Sequence, residues 1–186
     1  MAKQEQKILM RKVKLYIAIS LDGFIARKNG ALDWLEGIPN PNKLDYGYQA
    51  FYDSIDTVLM GRVTYNEILG FGVDWPYGNC QSVVFSRNKS LKISTPKTQL
   101  INEAVTAYVH RLKQQTGKDI WLVGGGNLLT SFLNEGLVDE MIIAIAPVVI
   151  GEGLPLFPNV PQETTLELVD TTSYDTGFVS LTYRVN

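Results

Sequence analysis

The chain has 186 residues, 45% of them hydrophobic and 19% charged, which is enough to bury one sizeable core. We therefore expect a single domain over residues 11–186, preceded by a flexible lead over residues 1–10. A net charge of −2 offers no basic field of the kind that nucleic acids or anionic membranes select, so a small diffusing molecule is the expected partner. The single cysteine, Cys80, excludes an internal disulfide and a zinc cluster and favours a reducing cytoplasm, so no metal site is expected.

Short β-branched runs alternate along the chain with segments in which apolar residues recur every three or four positions, a pattern typical of an α/β domain. Buried strands are predicted, in chain order, at 13–19, 57–60, 81–85, 120–123 and 141–145. Helices are predicted within 44–54 and over 63–69, 105–112 and 128–133. Asn102 is the predicted cap of the third helix and Gly117 its stop, while Gly136 is predicted to close the fourth.

The C-terminal residues follow a different pattern, in which apolar and polar side chains alternate strictly. This alternation predicts half-buried antiparallel strands at 166–168 and 179–185. The turn residues at 174–177 lie between them and predict a hairpin. The expected architecture is therefore a mostly parallel sheet that ends in an antiparallel hairpin.

A glycine turn is the strongest local feature, because the strand at 120–123 runs through Gly124, Gly125 and Gly126 directly into a helix. Glycines let the backbone approach an anion closely, and a helix N-terminus offers unpaired N–H groups and a partial positive charge. The pattern predicts a diphosphate site. A tight strand-to-helix turn without any ligand is the alternative, and the spacing departs from the G-x-G-x-x-G fingerprint of an ordinary Rossmann site.

Two other strand ends carry groups that suit phosphate. Gly61 precedes a helix that begins with the cation Arg62, and Ser86 and Arg87 follow the strand at 81–85 with a hydroxyl and a guanidinium. Each has a plain structural alternative when it is taken alone. The first is a helix start beside an exposed arginine, and the second is an uninvolved surface loop.

Taken in order, these segments resemble dihydrofolate reductase and the reductase domain of riboflavin-biosynthesis enzymes, the RibD C-terminal domain branch. The likeness is carried by residues 16–26, 60–65, 83–87 and 123–127. The later segments 136–140, 146–153 and 155–157 are closer to the riboflavin-type branch. The resemblance implies a dihydrofolate reductase-like three-layer α/β/α fold, with a mostly parallel central sheet and an antiparallel C-terminal hairpin.

The same resemblance implies hydride transfer from NADPH to a small flat heterocycle of the pterin or riboflavin-precursor pyrimidine type. Backbone groups of Ala18 and Ile25 would meet the nicotinamide carboxamide, and a preference for NADPH over NADH would rest on Arg62, Ser86 and Arg87. The residues implied along the phosphates and the ribose are Gly61, Arg62, Val63, Thr64, Ser86, Arg87, Val123, Gly124, Gly125, Gly126, Asn127 and Leu128. Relatives of the riboflavin type often pair as homodimers, and the apolar runs 141–150 and 178–185 would contribute an interface or only the core.

The substrate half of the site is less evident. Folate-reducing relatives carry an acidic residue near the start of the helix that precedes the strand before Gly61, a position that falls here near Gly47 or Tyr48. Asp45 is the nearest candidate acid, and a helix cap is its alternative role. Asp22 is interpreted as shaping its turn. The candidates for lining the substrate cleft, which have core packing as their alternative, are Trp34, Phe51 and Tyr52.

Three hypotheses follow from these patterns. The first is an NADPH-dependent reductase, although no basic cluster for a ribityl phosphate and no deaminase zinc motif is evident. The second is a non-catalytic NADP-binding sensor or binding module. The third is a generic α/β domain whose glycine turn binds nothing.

Overall fold

The structure is a computed structural model that describes residues 10–159 and 162–186. Of the flexible lead predicted at residues 1–10, only Met10 lies within the described residues. The strands are β1 (Val13–Ser20), β2 (Phe24–Ala26), β3 (Ile55–Gly61), β4 (Gln81–Phe85), β5 (Thr98–Ile101), β6 (Asp119–Gly124), β7 (Glu140–Ala146), β8 (Leu154–Pro155), β9 (Leu166–Ser173) and β10 (Val179–Val185). The helices are α1 (Asp33–Glu36), α2 (Tyr48–Asp53), α3 (Arg62–Gly70), α4 (Val105–Lys113) and α5 (Gly126–Asn134).

Eight of these strands form one sheet in the order β5-β4-β3-β6-β1-β7-β10-β9. The six strands from β5 to β7 pair in parallel, whereas β10 pairs antiparallel with both β7 and β9. A separate two-stranded sheet joins β2 and β8. The predicted mostly parallel sheet with an antiparallel C-terminal hairpin is thereby confirmed.

Helices cover both faces of the parallel part, because its strands are apolar on both sides. Val109 of α4 and Phe132 of α5 lie in the core of one face. Phe51 of α2 and Tyr65 of α3 lie in the core of the other. These three layers are the α/β/α arrangement expected of the dihydrofolate reductase-like fold.

The five predicted central strands and the four predicted helices are confirmed, with small differences at their ends. The short elements β2, β5, β8 and α1 were not predicted, because two to four residues carry too little periodicity to be recognised. The closure of α5 at Gly136 is confirmed. This glycine has a φ of +60°, and its N–H donates to the carbonyl oxygen of Leu133 (3.0 Å).

The predicted ends of α4 are wrong at both termini. The helix begins after Ala104 without a side-chain cap, and the Nδ2 amide of Asn102 donates instead to the carbonyl oxygen of Ser86 (2.7 Å). The helix ends before Gly117. That glycine lies against the ion pair of Arg11 and Asp56, where a Cβ would lie only 2.6 Å from the carboxylate.

The prediction that β9 is half-buried is also wrong, since all eight of its residues are exposed. The strand lies at the edge of the sheet, beyond β10, and none of its side chains belongs to the hydrophobic clusters of the described residues. The hairpin that joins it to β10 is confirmed, because the N–H of Tyr174 donates to the carbonyl oxygen of Phe178 (2.9 Å).

Candidate functional site

The carboxyl ends of four neighbouring parallel strands meet at one edge of the sheet, in the order β4, β3, β6 and β1. Gly61 at the end of β3 is in register with Phe85 of β4, and Met60 is in register with Gly124 of β6. The structure therefore brings together the three segments that were separate in the sequence. The carboxyl edge of an open α/β sheet is where such folds bind ligands.

Glycines line the space between the ends of β3 and β6. A Cβ added to Gly61 would lie 4.0 Å from the carbonyl oxygen of Gly124, and one added to Gly124 would meet nothing within 4 Å. The φ of Gly124 is +118°, a conformation that suits glycine alone. The backbone is thus open to a close approach at both positions.

Two nine-residue helices begin at this space, and neither has a side-chain cap. Gly61 is the N-cap residue of α3 and Gly125 is that of α5. The N–H groups of a first helical turn need acceptors, and a helix N-terminus favours an anion. An open glycine-lined space between two uncapped helix starts fits a diphosphate well.

Gly126 differs from Gly124, because other protein atoms already occupy the space that a Cβ at position 126 would need. A Cβ there would lie 2.9 Å from the carbonyl oxygen of Pro155 and 2.8 Å from a ring carbon of Pro158. The close packing of α5 against this segment requires glycine at position 126. Its contact with a diphosphate stays a prediction.

Hydrogen bonds fix the loop that follows β4 and leave the guanidinium group of Arg87 exposed to solvent. The Ser86 Oγ accepts a hydrogen bond from the N–H of Asn88 (3.0 Å), and its carbonyl oxygen is held by Asn102. Arg87 and Arg62 are both exposed, and within residues 10–159 and 162–186 neither makes an ion pair. Both guanidinium groups are available to phosphate.

The turn that follows β1 folds back over the same edge. The buried Ser20 Oγ accepts a hydrogen bond from the N–H of Phe24 (3.0 Å), and the N–H of Gly23 donates to the carbonyl oxygen of Ser20 (2.9 Å). Ile25 in β2 packs against the main core, whereas Ala18 of β1 packs on the opposite face of the sheet. We name residues 21–26 the nicotinamide loop, after the contact that the family resemblance implies for it.

An aromatic cluster lies beside Ala18, and we call it the aromatic wall. It consists of Trp34, Tyr46, Tyr174 and Phe178. The Tyr46 ring centroid lies 5.0 Å from that of Tyr174 and 4.7 Å from that of Phe178, and its hydroxyl donates to the Thr176 Oγ1 (3.2 Å). The hydroxyl of Tyr16 donates to the backbone oxygen of Tyr46 (3.1 Å). These contacts fasten the segment between α1 and α2 to the C-terminal hairpin.

Trp34 carries an unusual polar atom. Its side chain is 5% exposed, yet its indole N–H is buried without a hydrogen-bond partner among the residues that the structure describes. An unpaired buried donor costs about 1–3 kcal/mol.

The other two aromatic candidates lie in a different cluster. Phe51 stacks on Tyr16 with ring centroids 4.5 Å apart and is buried in the core under α2. The Tyr52 hydroxyl donates to the carbonyl oxygen of Pro76 (3.2 Å), and burial raises the pKa of this phenol to about 12. Both side chains are already used in packing, so their contact with a substrate stays a prediction.

Asp45, the candidate acid, serves as a cap for α2. Its two carboxylate oxygens accept hydrogen bonds from the N–H groups of Gly47 and Gln49 (3.1 Å each). The N–H of Gln49, followed by that of Gly47, lowers the pKa of the Asp45 carboxyl below its ordinary value. This shift favours the ionised form, which is the opposite of what a proton donor requires.

Three members of the aromatic wall were absent from the sequence-based prediction, namely Tyr46, Tyr174 and Phe178. Tyr174 and Phe178 flank the hairpin turn, and Tyr46 follows Asp45 in an irregular segment. Tyr174 and Phe178 at the predicted turn were the available signal, whereas Tyr46 lies in a segment where a helix was predicted. No periodicity connects them, so only the fold shows that they meet.

Comparison with solved structures identifies the fold of the chain. Over 94% of its length the chain has the fold of dihydrofolate reductase from Enterococcus faecalis, with a TM-score of 0.66 at 15% identity and 96% of that chain covered. A protein from Shewanella sp. PV-4, assigned to riboflavin biosynthesis, has a TM-score of 0.86 at 31% identity, with 94% of this chain and 99% of that chain covered.

The sequence comparison then gives the family. Residues 11–180 match the family described as the RibD C-terminal domain. The uncharacterized protein YwjB of Bacillus subtilis (strain 168) is 40% identical over 164 residues, which cover 88% of this chain and 92% of that protein. The chain therefore belongs to the RibD C-terminal domain family, and its fold is that of dihydrofolate reductase. Among its described helices, none has the length and apolar character needed to span a bilayer.

Proposed function

We propose that the chain is an NADPH-dependent reductase that transfers hydride to a small flat heterocycle of the pterin or riboflavin-precursor pyrimidine type. The observation that carries the proposal is the glycine-lined space at the ends of β3 and β6, between two uncapped helix starts, with the exposed Arg62 and Arg87 following two of the strand ends. The structure of the enterococcal dihydrofolate reductase, which shares this fold, contains NADP(H).

The residues of the three strand ends have separate tasks in this proposal. Backbone N–H groups at the starts of α3 and α5 hold the diphosphate, with Thr64 and Asn127 adding side-chain donors. Arg62 lies along the phosphates, and Ser86 with Arg87 meets the ribose 2′-phosphate, which NADH lacks. Val63, Val123 and Leu128 contribute backbone at the same edge.

The nicotinamide end is proposed to lie between Ala18 and Ile25, whose backbone groups hydrogen-bond the carboxamide. NADPH supplies the hydride when it is bound, so the protein need only orient the two rings and exclude water. The aromatic wall beside Ala18 is proposed to support a flat substrate, with the partly exposed Tyr46 and Tyr174 offering ring faces and Trp34 packed beneath them.

A binding module without turnover is the second candidate, and one observation favours it. None of the four residues of the aromatic wall carries a carboxyl group, and Asp45 is held in its ionised form as a cap. Such a protein would bind NADPH through the same three strand ends. It would lack a proton donor of its own.

Two measurements separate these candidates. Calorimetric titration with NADPH is expected to show one site per chain. NADPH oxidation with a panel of pteridines and ribosylaminopyrimidines is then expected to show turnover. Binding without any turnover supports the module, and no binding at all means that the glycine turn is only structural.

We further propose a cytoplasmic homodimer. The apolar run at 141–146 lies inside the sheet as β7, so the better interface is the edge strand β9, where Leu168 is 54% and Val169 is 52% exposed. An edge strand with exposed apolar side chains is able to pair with a second copy of itself. Light scattering is expected to give twice the chain mass, and Leu168→Asp is expected to give the monomer.

A further inference from the structure

Asp22 makes none of the contacts proposed for NADPH, yet its carboxylate joins two segments that are far apart in the chain. Its Oδ2 accepts a hydrogen bond from the N–H of Gly151 (2.7 Å), and its Oδ1 accepts one from the N–H of Ile150 (3.2 Å). The Ser20 hydroxyl, and after it the N–H groups of Gly151 and Ile150, lower the pKa of the Asp22 carboxyl. The group is therefore ionised at neutral pH, and hydrogen bonds to an ionised acceptor are the stronger kind.

The segment that Asp22 holds runs along the carboxyl edge of the sheet, and we call residues 147–158 the strap. Its first part follows the nicotinamide loop closely. The N–H of Leu21 donates to the carbonyl oxygen of Val148 (2.8 Å), and β8 of the strap pairs with β2 of the loop. A Cβ on Gly153 would collide with the backbone of β2, so the two backbones are in direct contact.

The second part of the strap contacts the other end of the proposed cofactor site. The hydroxyl of Thr130 in α5 donates to the carbonyl oxygen of Pro158 (2.8 Å), and Pro155 and Pro158 fill the space beside Gly126. The strap therefore contacts both the loop at the nicotinamide and the helix that begins at the diphosphate. A shift of the strap is therefore expected to change the distance between the nicotinamide loop and helix α5.

We propose that Asp22 is a positioning residue, whose carboxylate keeps the strap and the nicotinamide loop in the one arrangement that aligns the nicotinamide for hydride transfer. The inference rests on the proposed function. The adenosine and phosphate contacts lie at other strand ends and do not involve Asp22. Its loss therefore affects the geometry of the nicotinamide much more than the affinity for the whole cofactor.

The Asp22→Asn variant tests this directly, because the amide keeps the size of the side chain but loses the charge and one acceptor oxygen. We expect kcat to fall about tenfold or more, since small misplacements of reacting groups have effects of this size. The Kd of NADPH is expected to change by less than about threefold, because most of its contacts remain. Asp22→Glu, which keeps the charge, is expected to retain more activity than Asp22→Asn.

A matched control is available in the same two segments. Lys28, just after the nicotinamide loop, forms an ion pair with Glu152 of the strap, and the two side chains are 68% and 70% exposed. Exposed ion pairs contribute little. Glu152→Gln is therefore expected to leave both kcat and the Kd of NADPH unchanged.

Two readouts do not depend on knowing the substrate. Hydrogen–deuterium exchange of the Ile150 and Gly151 amides, measured without cofactor, is expected to be faster in Asp22→Asn than in the wild type. The fluorescence of bound NADPH, which reports on the surroundings of the nicotinamide, is expected to shift toward that of free NADPH. An unchanged emission from saturated Asp22→Asn overturns the inference.

Equal losses of kcat and NADPH affinity also overturn the inference, because Asp22 would then serve binding or the whole fold. Failure of the proposed function has a different signature, since the wild type itself would neither bind nor oxidise NADPH. If Asp22→Asn does not fold, the comparison uses Asp22→Glu. In that variant, faster exchange of the Ile150 and Gly151 amides with a lower kcat at unchanged NADPH affinity supports the inference, whereas faster exchange at normal kcat, or a loss of NADPH affinity at normal kcat, overturns it.

Discussion

The two halves of the candidate site are built in different ways. The cofactor half consists of backbone at three strand ends, where Gly61 and Gly124 leave space for a ligand and two helices begin. The substrate half consists of side chains from three segments, in which Trp34 and Tyr46 meet the C-terminal hairpin.

This difference predicts which substitutions each half of the candidate site tolerates. A backbone cradle requires small residues at fixed positions, so single additions of a methyl group are expected to abolish it. An aromatic wall depends on how several large side chains pack together, so one change is expected to adjust the selectivity and leave the cofactor bound. The following predictions test this contrast, beginning with the largest expected effect.

Gly61→Ala is expected to weaken NADPH binding strongly while the protein stays folded. The residue has extended backbone angles, and the new Cβ would lie 4.0 Å from its nearest neighbour, so the protein itself accommodates it. A methyl group in a closely packed ligand site costs about 1–3 kcal/mol, which is roughly a 5- to 150-fold loss of affinity. Calorimetry measures the loss, and thermal unfolding checks the fold.

Gly70→Ala is the matched control for that variant, because a Cβ at this last residue of α3 would meet nothing within 4 Å. It is expected to leave NADPH affinity unchanged. Equal affinities for Gly61→Ala and the wild type would show that the space at Gly61 holds no cofactor.

Arg87→Ala is expected to weaken NADPH selectively. Hydrogen bonds to charged groups contribute about 1.5–3 kcal/mol, so we expect a loss of roughly 10- to 100-fold for NADPH and little change for NADH. Kd values for both cofactors give the ratio. Lys89→Ala, which removes another exposed cation from the same loop, serves as the control. The same loss for both cofactors would contradict the assignment of Arg87 to the 2′-phosphate.

Trp34→Phe is expected to raise the KM of the heterocycle by roughly fivefold without changing the Kd of NADPH, because a smaller ring disturbs the packing of the aromatic wall by about 1 kcal/mol. The protein loses no internal hydrogen bond, since the indole N–H has no partner among the described residues. Steady-state kinetics and calorimetry separate the two effects.

Trp75→Phe provides the contrast for that variant. The Trp75 indole N–H donates to the Oγ of the buried Ser82 (3.2 Å), so its removal leaves a buried hydroxyl unpaired. We expect a loss of about 1–2 kcal/mol in the free energy of unfolding and an unchanged KM. If the KM rose in Trp75→Phe and not in Trp34→Phe, the substrate would instead bind at the aromatic cluster that contains Trp75.

Asp45→Asn is expected to have the smallest effect on turnover, less than about twofold, because amides and carboxylates both cap helices. The folded protein lowers the pKa of Asp45, so the charge stabilises the fold above the pKa of the unfolded chain. This stabilisation disappears as the pH falls through the folded pKa. The wild type should therefore unfold at a higher temperature than the variant at neutral pH, and the difference should vanish in acid. A large loss of kcat would instead identify Asp45 as the acid.

Much of the fold was predictable because its central strands and longer helices have strong periodicity. Five of the six strands of the parallel sheet, namely β1, β3, β4, β6 and β7, were predicted within two residues at either end. The burial of β9 was not, because its alternating residues look the same whether or not a helix covers them. The ends of α4 were missed for a similar reason, since Asn102 has a stronger tertiary partner in Ser86.

The sequence by itself determined the positions of the glycine turn, Gly61 and the Ser86–Arg87 pair, because backbone cradles at strand ends depend on local residue types. Only the tertiary structure decided that these three segments are neighbours, that Trp34 and Tyr46 meet Phe178, and that Asp22 binds the strap. The physical reason is the range of the interactions. Glycine conformation and helix starts act within a few residues, whereas aromatic packing and the Asp22 hydrogen bonds join residues more than a hundred positions apart.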